Sequence, residues 1–286
     1  MAWETTVAGT LHLNDITTPH GRRPRILGGS AVYFTLAATP APVNFYGIVG
    51  ADAVAEFKAL LTAPSINLEG LTVSRTPTFH WHAEHDFDEW VAKEQPSDPG
   101  CDAEWRPQLT AAGAASPQLF LGSMDPHVQL NLVRQSQARL IGSDSMVGWI
   151  GRDREVVEAV VAASDVLFLN RTELAELVGA NDEWEPQAQQ LVGRGRLRAV
   201  IVKGGPEGAA LVMSDRVVDK PASPIADVID PTGAGDALAG GFFAAWALAQ
   251  RDDPDFFELA WEQGLRGAAA AISRFGTQGL RVHVPA

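Results

Sequence analysis

The stretch Asp230-Pro231-Thr232-Gly233-Ala234-Gly235-Asp236 holds the residues best suited to chemistry in this chain. It runs into Ala237 to Leu248, small and apolar almost all round, which predicts a buried helix starting near Gly233. Glycine in a first helical turn costs roughly 1 kcal/mol against alanine. Its gain is open access to the backbone. Amides at a helix start, backed by the dipole, form a phosphate site, and a carboxylate in that turn is favoured as the anion. Asp236 beside an amide-bound phosphate is placed to take a proton from an attacking hydroxyl. The same residues also suit an ordinary loop and helix start, with Thr232 as cap and Asp236 complementing the dipole.

Other candidates lie at junctions. Gly28-Gly29-Ser30 precede an apolar run and suit a tight turn. Asn170 and Glu173 sit at a strand end and helix start, where Glu173 suits a capping role. Leu71 to His82 alternates as a strand, with Phe79 and Trp81 on one face and His80 and His82 on the other. Glu84 to Pro107 is polar and reads as loop. This region is expected to form a small lid over one edge, in which Phe79, Trp81 and Trp90 stack on a sugar face or base or simply cover a sheet. His80, His82, His85 and Asp86 form the one metal-like cluster. Zinc needs a defined four-ligand set or an open catalytic position. Nothing else in the sequence supplies one, so surface or substrate-contacting histidines are expected.

The positioning elements follow from periodicity. Short apolar runs predict strands at Thr6 to Leu13, Val43 to Tyr46, Gln118 to Leu121, Val166 to Leu169 and Ala199 to Val202. Helical patterns cover Ala31 to Ala38, Val54 to Leu61, Arg154 to Ala163 and Thr172 to Val178, and Ser214-Asp215 marks a hairpin turn. Fully apolar strands between helices predict an α/β fold with a parallel sheet covered on both faces. The expected organisation is one domain over 1–286, with lid segments at about 10–27 and 71–107.

Composition sets the boundaries. With 286 residues, 46% of them hydrophobic, the chain has ample core material. A net charge of -13 disfavours nucleic acid and anionic membrane partners. Cys101 is the single cysteine, which excludes an internal disulfide and favours a reducing compartment. No apolar run approaches the ~20 residues of a membrane span, and no signal peptide is read at the N-terminus. A cytoplasmic location is expected. The chain carries no Gly-x-x-x-x-Gly-Lys-Ser/Thr run and no protein-kinase motif set.

The segment ending in Asp236 resembles the Asp-Thr-x-Gly-Ala-Gly-Asp signature of the PfkB (ribokinase-like) carbohydrate kinase family. Gly28-Gly29-Ser30-Ala31, Gly47-Ile48-Val49-Gly50-Ala51-Asp52, Asn170-Arg171-Thr172-Glu173 and Lys203-Gly204-Gly205-Pro206-Glu207-Gly208-Ala209 resemble further family motifs, in the family's order. The resemblance spans about Val7 to Gly276. It implies a ribokinase-like three-layer α/β/α fold with a mostly parallel central sheet and a small β-lid. It implies ATP- and Mg²⁺-dependent phosphorylation of a small polyhydroxy acceptor: a sugar first, a nucleoside or cyclitol second. A non-catalytic binding protein of the same fold is the rival, which the intact Asp236 argues against.

Residue by residue, the resemblance makes Asp236 the base and Gly233, Ala234 and Gly235 the amides facing the transferred charge. Asn170 and Glu173 would organise Mg²⁺ through its waters. Lys203, Gly205, Gly208, Thr232 and Gly276 would lie on the nucleotide side. Some relatives imply a monovalent cation such as K⁺ near Asp230 and Thr232. Gly28, Gly29 and Ser30 would surround the acceptor, with Trp81 from the lid. Many sugar-using relatives hold two acceptor hydroxyls with an Asp after the first strand; here Asn14 takes that place, with Asp15 beside it. The lysine often found after the glycine pair is Ser30, and Asp52-Ala53-Val54-Ala55 stands for Asp-x-x-Gly. An exposed lid edge also offers a homodimer contact.

Overall fold

A computed structural model describes residues 3–87, 92–94, 98–179, 183–249 and 256–281. Trp90 lies outside them. In chain order the strands are β1 (Thr5–Ala8), β2 (His12–Thr18), β3 (Gly21–Gly28), β4 (Val43–Gly50), β5 (Ile66–Ser74), β6 (His80–His85) and β7 (Ala92–Glu94). They continue with β8 (Gln118–Leu121), β9 (Leu140–Asp144), β10 (Val166–Asn170), β11 (Ala199–Lys203), β12 (Ala209–Met213) and β13 (Val217–Lys220). The helices are α1 (Ser30–Ala38), α2 (Val54–Leu60), α3 (Ala111–Ala115), α4 (Pro126–Gln135), α5 (Val147–Arg152) and α6 (Arg154–Ala163). After them come α7 (Arg171–Val178), α8 (Trp184–Leu191), α9 (Ala234–Ala249), α10 (Phe256–Ile272) and α11 (Gln278–Arg281).

Nine strands form the large sheet in the order β13-β12-β11-β10-β9-β8-β1-β4-β5. Every pairing from β11 to β5 is parallel, and β12 and β13 add an antiparallel edge. All residues of β1, β4, β8 and β9 are buried, because helices cover both faces. Phe34 of α1 stacks on Phe120 of β8 at 4.5 Å, and Phe168, Phe242 and Phe243 complete an aromatic core. Helix α9 crosses α1 and α10 at backbone contact. A Cβ at Gly240 would stand 2.2 Å from the Phe34 carbonyl oxygen, and one at Gly241 2.6 Å from that of Gln263. This close approach offsets the propensity cost of two mid-helix glycines.

The second sheet has the order β3-β2-β6-β7. β2 pairs antiparallel with β3 and parallel with β6, placing Asn14 opposite Trp81 and Asp15 opposite His82. Asn14, Ile16, Trp81, Ala83 and His85 therefore share one face, and Asp15, His80 and His82 the other.

Three expectations need correction. Thr6 to Leu13 is not one strand. β1 ends at Ala8, and a Cβ at Gly9 would meet the Ser30 hydroxyl at 2.4 Å, so the chain passes closely over α1 before β2 begins in the other sheet. Asn14 and Asp15 thus lie within β2. Leu71 to His82 is likewise split. β5 ends at Ser74, Pro77 removes a ladder donor, and the Thr78 amide donates to Asp52 Oδ1 at 3.0 Å. β6 then starts in the small sheet. Finally, Glu84 to Pro107 is not all loop: it holds the end of β6, β7 and a turn of 3₁₀-helix, Gly100–Glu104, with Cys101 buried.

The C-terminal ends of β1, β8, β9, β10 and β11 point the same way, and β1 is flanked by β4 on one side and β8 on the other. Open α/β sheets place ligands at this edge, beside such a reversal of strand order.

Candidate active site

Helix α9 begins at the edge just defined. Gly233 precedes it with φ +76°, and a Cβ there would lie 2.3 Å from the Tyr33 ring. Only glycine meets both demands. The Ala234 amide is turned back to the Pro231 carbonyl at 3.3 Å. The Gly235 and Asp236 amides belong to the first turn, where no intrahelical acceptor exists. Thr232 does not cap the helix among the contacts seen; its hydroxyl lies 2.9 Å from His85 Nε2.

Around Asp236 the strand ends bring together a charged cluster. Lys203, last in β11, donates from Nζ to Asp144 Oδ2 at 2.8 Å and lies 3.8 Å from Glu173. A Cβ at Gly235 would stand 3.0 Å from the same ammonium, which ties the cluster to the start of α9. Burial, reinforced by the charge of Asp144 and opposed by Lys203, lifts Asp236 to about 7. Glu173 is lifted to about 7 as well, by burial first, against the pull of Lys203. Burial works against the charge of Lys203, yet Asp144 and Glu173 together raise its pKa.

Asn170 and Glu173 form a reciprocal capping box. The Glu173 amide donates to Asn170 Oδ1 at 2.8 Å, and the Asn170 amide to Glu173 Oε2 at 2.7 Å. The cap fixes the Glu173 carboxylate toward Lys203. Asp144 belongs to the site although no sequence motif marked it. Leu140-Ile141-Gly142-Ser143-Asp144 looks turn-like, but all five residues are buried in β9.

Three carboxylates facing one ammonium leave an excess of negative charge. Hard oxygen donors in that balance suit Mg²⁺, which carries most of its own waters. Glu173 and Asp144 are the residues that would hold it. For the nucleotide, Gly205 has φ +60° with open space where a Cβ would be. Gly208, at φ +101°, packs where a Cβ would lie 2.1 Å from the Lys220 carbonyl oxygen. Asp230 is fully buried and staples two loops. Its Oδ1 accepts from the Thr232 amide at 3.0 Å and its Oδ2 from the Gly276 amide at 2.8 Å.

The inner face of the small sheet carries the residues expected to meet an acceptor. Asn14 is buried, its Nδ2 would touch a Cβ at Gly28 at 2.3 Å, and its Oδ1 has no partner among the described residues. The Tyr33 hydroxyl is equally buried and unpaired. Burial, then the charges of Asp230 and Asp236, raise its pKa. Trp81 lies on this face with its ring 6.2 Å from that of His85. The sequence groups His85 with His80 and His82. An odd spacing turns it inward instead, where burial lowers its pKa, opposed by Asp230.

Two expected acceptor residues are not brought to this face. Asp15 points outward to Arg22, His80 and the Arg25 amide. Ser30 accepts from the Thr10 amide at 3.0 Å and packs against Gly9 and Gly122. Gly29, at φ +107°, fits tightly over the Thr10 carbonyl. A cavity of about 290 Å³ lies away from this chemistry, lined by Glu4, Pro117 and Arg139 at the opposite strand ends.

A ribokinase-type sheet with a carboxylate, amides and a lysine at its ligand edge defines a class of small-molecule phosphotransferases. A family model for the pfkB family carbohydrate kinases matches residues 105–282. The chain belongs to that family. Over 285 residues it is 26% identical to the cytidine kinase of Thermococcus kodakarensis, covering 96% of this chain and 98% of the relative. Among solved structures, the nucleoside kinase of Methanocaldococcus jannaschii superposes with a TM-score of 0.74 at 19% identity, covering 99% of each chain. The ribokinase of Cryptococcus neoformans, solved with ADP, gives a TM-score of 0.76 at 17% identity, over 97% of this chain and 96% of that one. These structures share the fold. Among the described residues no helix is long and apolar enough to cross a membrane.

Proposed function

We propose that the chain transfers the γ-phosphoryl group of ATP to a hydroxyl of a nucleoside, with a free sugar as the second acceptor class. The observation that carries the transfer is the placement of Asp236 in the first turn of α9, beside its amides and facing Lys203. Asp236 takes the proton of the acceptor hydroxyl as that oxygen bonds to the γ-phosphorus and the bond to the bridging oxygen of ADP breaks. The amides of Gly233 and Gly235 face the charge on the transferring group. In a loose transition state such positioning and electrostatics supply most of the rate. Mg²⁺, when bound, would neutralise the phosphates. The inner face of the small sheet, with Trp81 and His85, would close over the acceptor and exclude water.

Two observations favour a nucleoside. A relative matched over 98% of its own length is a cytidine kinase. And Asn14 stands where the family resemblance puts a carboxylate, which would give the pocket an amide that donates as well as accepts. ATP consumption measured with Mg²⁺ against cytidine, other nucleosides, ribose and fructose tests both layers. ADP release with a nucleoside at lower KM than with any free sugar is expected. Activity with sugars alone would overturn the acceptor and leave the kinase standing. No ADP release with any of them would overturn the transfer itself.

The pocket makes a sharper prediction. Asn14→Ala should raise acceptor KM about tenfold or more, because a substrate group loses its buried partner at about 1–3 kcal/mol. Asp15→Ala should leave acceptor KM unchanged, since its carboxylate faces away. The reverse pattern would mean that β2 presents its other face to the substrate.

A further inference from the structure

The outward face of the small sheet carries a second cluster unrelated to phosphoryl transfer. His80 and His82 are two residues apart on β6, and β2 places Asp15 directly across from His82. His80 Nε2 stands 2.8 Å from Asp15 Oδ1, and His82 Nδ1 stands 3.8 Å from Asp15 Oδ2. One ligand atom from each of the three lies within 4.8 Å of the others. The imidazoles lie face to face with centroids 4.5 Å apart. We propose that Asp15, His80 and His82 form a surface site for Zn²⁺, with the remaining coordination positions open to water.

The chemistry of the donors selects the ion. Two imidazoles and one carboxylate suit a borderline cation such as Zn²⁺, whereas Mg²⁺ prefers oxygen alone. The carboxylate is already oriented. The Arg25 amide donates to Asp15 Oδ1 at 2.9 Å, the kind of outer contact that fixes a metal ligand. Arg22 is the competitor, reaching Asp15 Oδ2 at 3.2 Å. Its side chain is 68% exposed, so it can swing into solvent at little cost. A bound ion would link β2 to β6 behind Asn14 and Trp81.

Isothermal titration of Zn²⁺ into chelator-treated full-length protein tests the site, with Co²⁺ absorption as a second readout. The expected result is one equivalent per chain, weakened by about 100-fold or more in His80→Ala and in His82→Ala, a loss at the upper end of what outer-shell changes alone produce. Arg22→Ala should tighten binding severalfold by removing the competing cation. Circular dichroism melts of all three variants check that the fold is intact. Absence of Zn²⁺ binding to the wild type would overturn the site. So would binding that survives in the His80→Ala/His82→Ala double variant, or an Arg22→Ala variant that binds more weakly.

Discussion

Asp236→Asn is expected to fold, to bind ATP, and to lose about 10²–10⁴-fold in kcat, the range a positioned base contributes. The amide keeps the shape of the side chain but cannot accept the hydroxyl proton. A variant keeping more than about a tenth of wild-type kcat would remove Asp236 from that role. The pH dependence should agree. Asp236 sits near 7 because burial, Asp144 and Glu173 disfavour its charge more than Lys203 favours it. A base must be ionised, so kcat/KM, which reports the free enzyme, should fall as pH drops below about 7. Stability should move the opposite way. The folded pKa exceeds the ordinary aspartate value of 3.8, so the folded state binds its proton more tightly than the unfolded chain. Stability is then fullest below about pH 4 for this group and declines as pH rises through about 7. Asp236→Asn removes that penalty. It should melt about 2–4 °C higher than wild type at pH 8, for roughly 1 kcal/mol, and the gain should vanish near pH 4. Thermal melts at the two pH values decide this: equal melting at pH 8 would show that the carboxylate is solvated, and a less stable variant that Lys203 outweighs burial.

Lys203→Met should be the most damaging change in the cluster. Lys203 bonds Asp144 directly and lies within ion-pair distance of Glu173, and both carboxylates are buried. Methionine fills a similar volume but leaves them without a counter-charge. Breaking one side of a buried pair costs about 3–5 kcal/mol, which corresponds to a melting point lower by about 6–20 °C in a chain of this size. The loss should shrink in acid as the carboxylates take up protons. Adding Asp144→Asn to Lys203→Met should restore part of it, because the two positions share one interaction. Equal melting of Lys203→Met and wild type would show that solvent screens the whole cluster.

Local signals made the segment ending in Asp236 readable. The glycines, the helix start and Asp236 fall within one turn of α9, and Asn170 and Glu173 meet through a capping box three residues long. Both depend on neighbours in the chain, so residue types alone specify them. The short apolar strands β8, β10 and β11 were legible for the same reason: continuous burial leaves a continuous apolar run. Strand β9 was not, because Gly142, Ser143 and Asp144 look like a turn. Gly142 is there since a Cβ would strike the Phe243 ring at 2.6 Å, a demand set by a helix a hundred residues away.

The sequence by itself determined the α/β class, the family and the residues at the start of α9. Tertiary structure alone decided which side chains meet. Lys203 finds Asp144 across 59 positions, His85 finds Thr232 across 147, and Asp15 finds His80 across 65. The choice between Asn14 and Asp15 rested on one fact, the register of β2 on β6. In a strand each step of one residue turns the side chain to the opposite face. Adjacent residues of similar chemistry therefore look interchangeable in sequence, and the pairing of two strands sends one to the inner face of the small sheet and the other to its outer face.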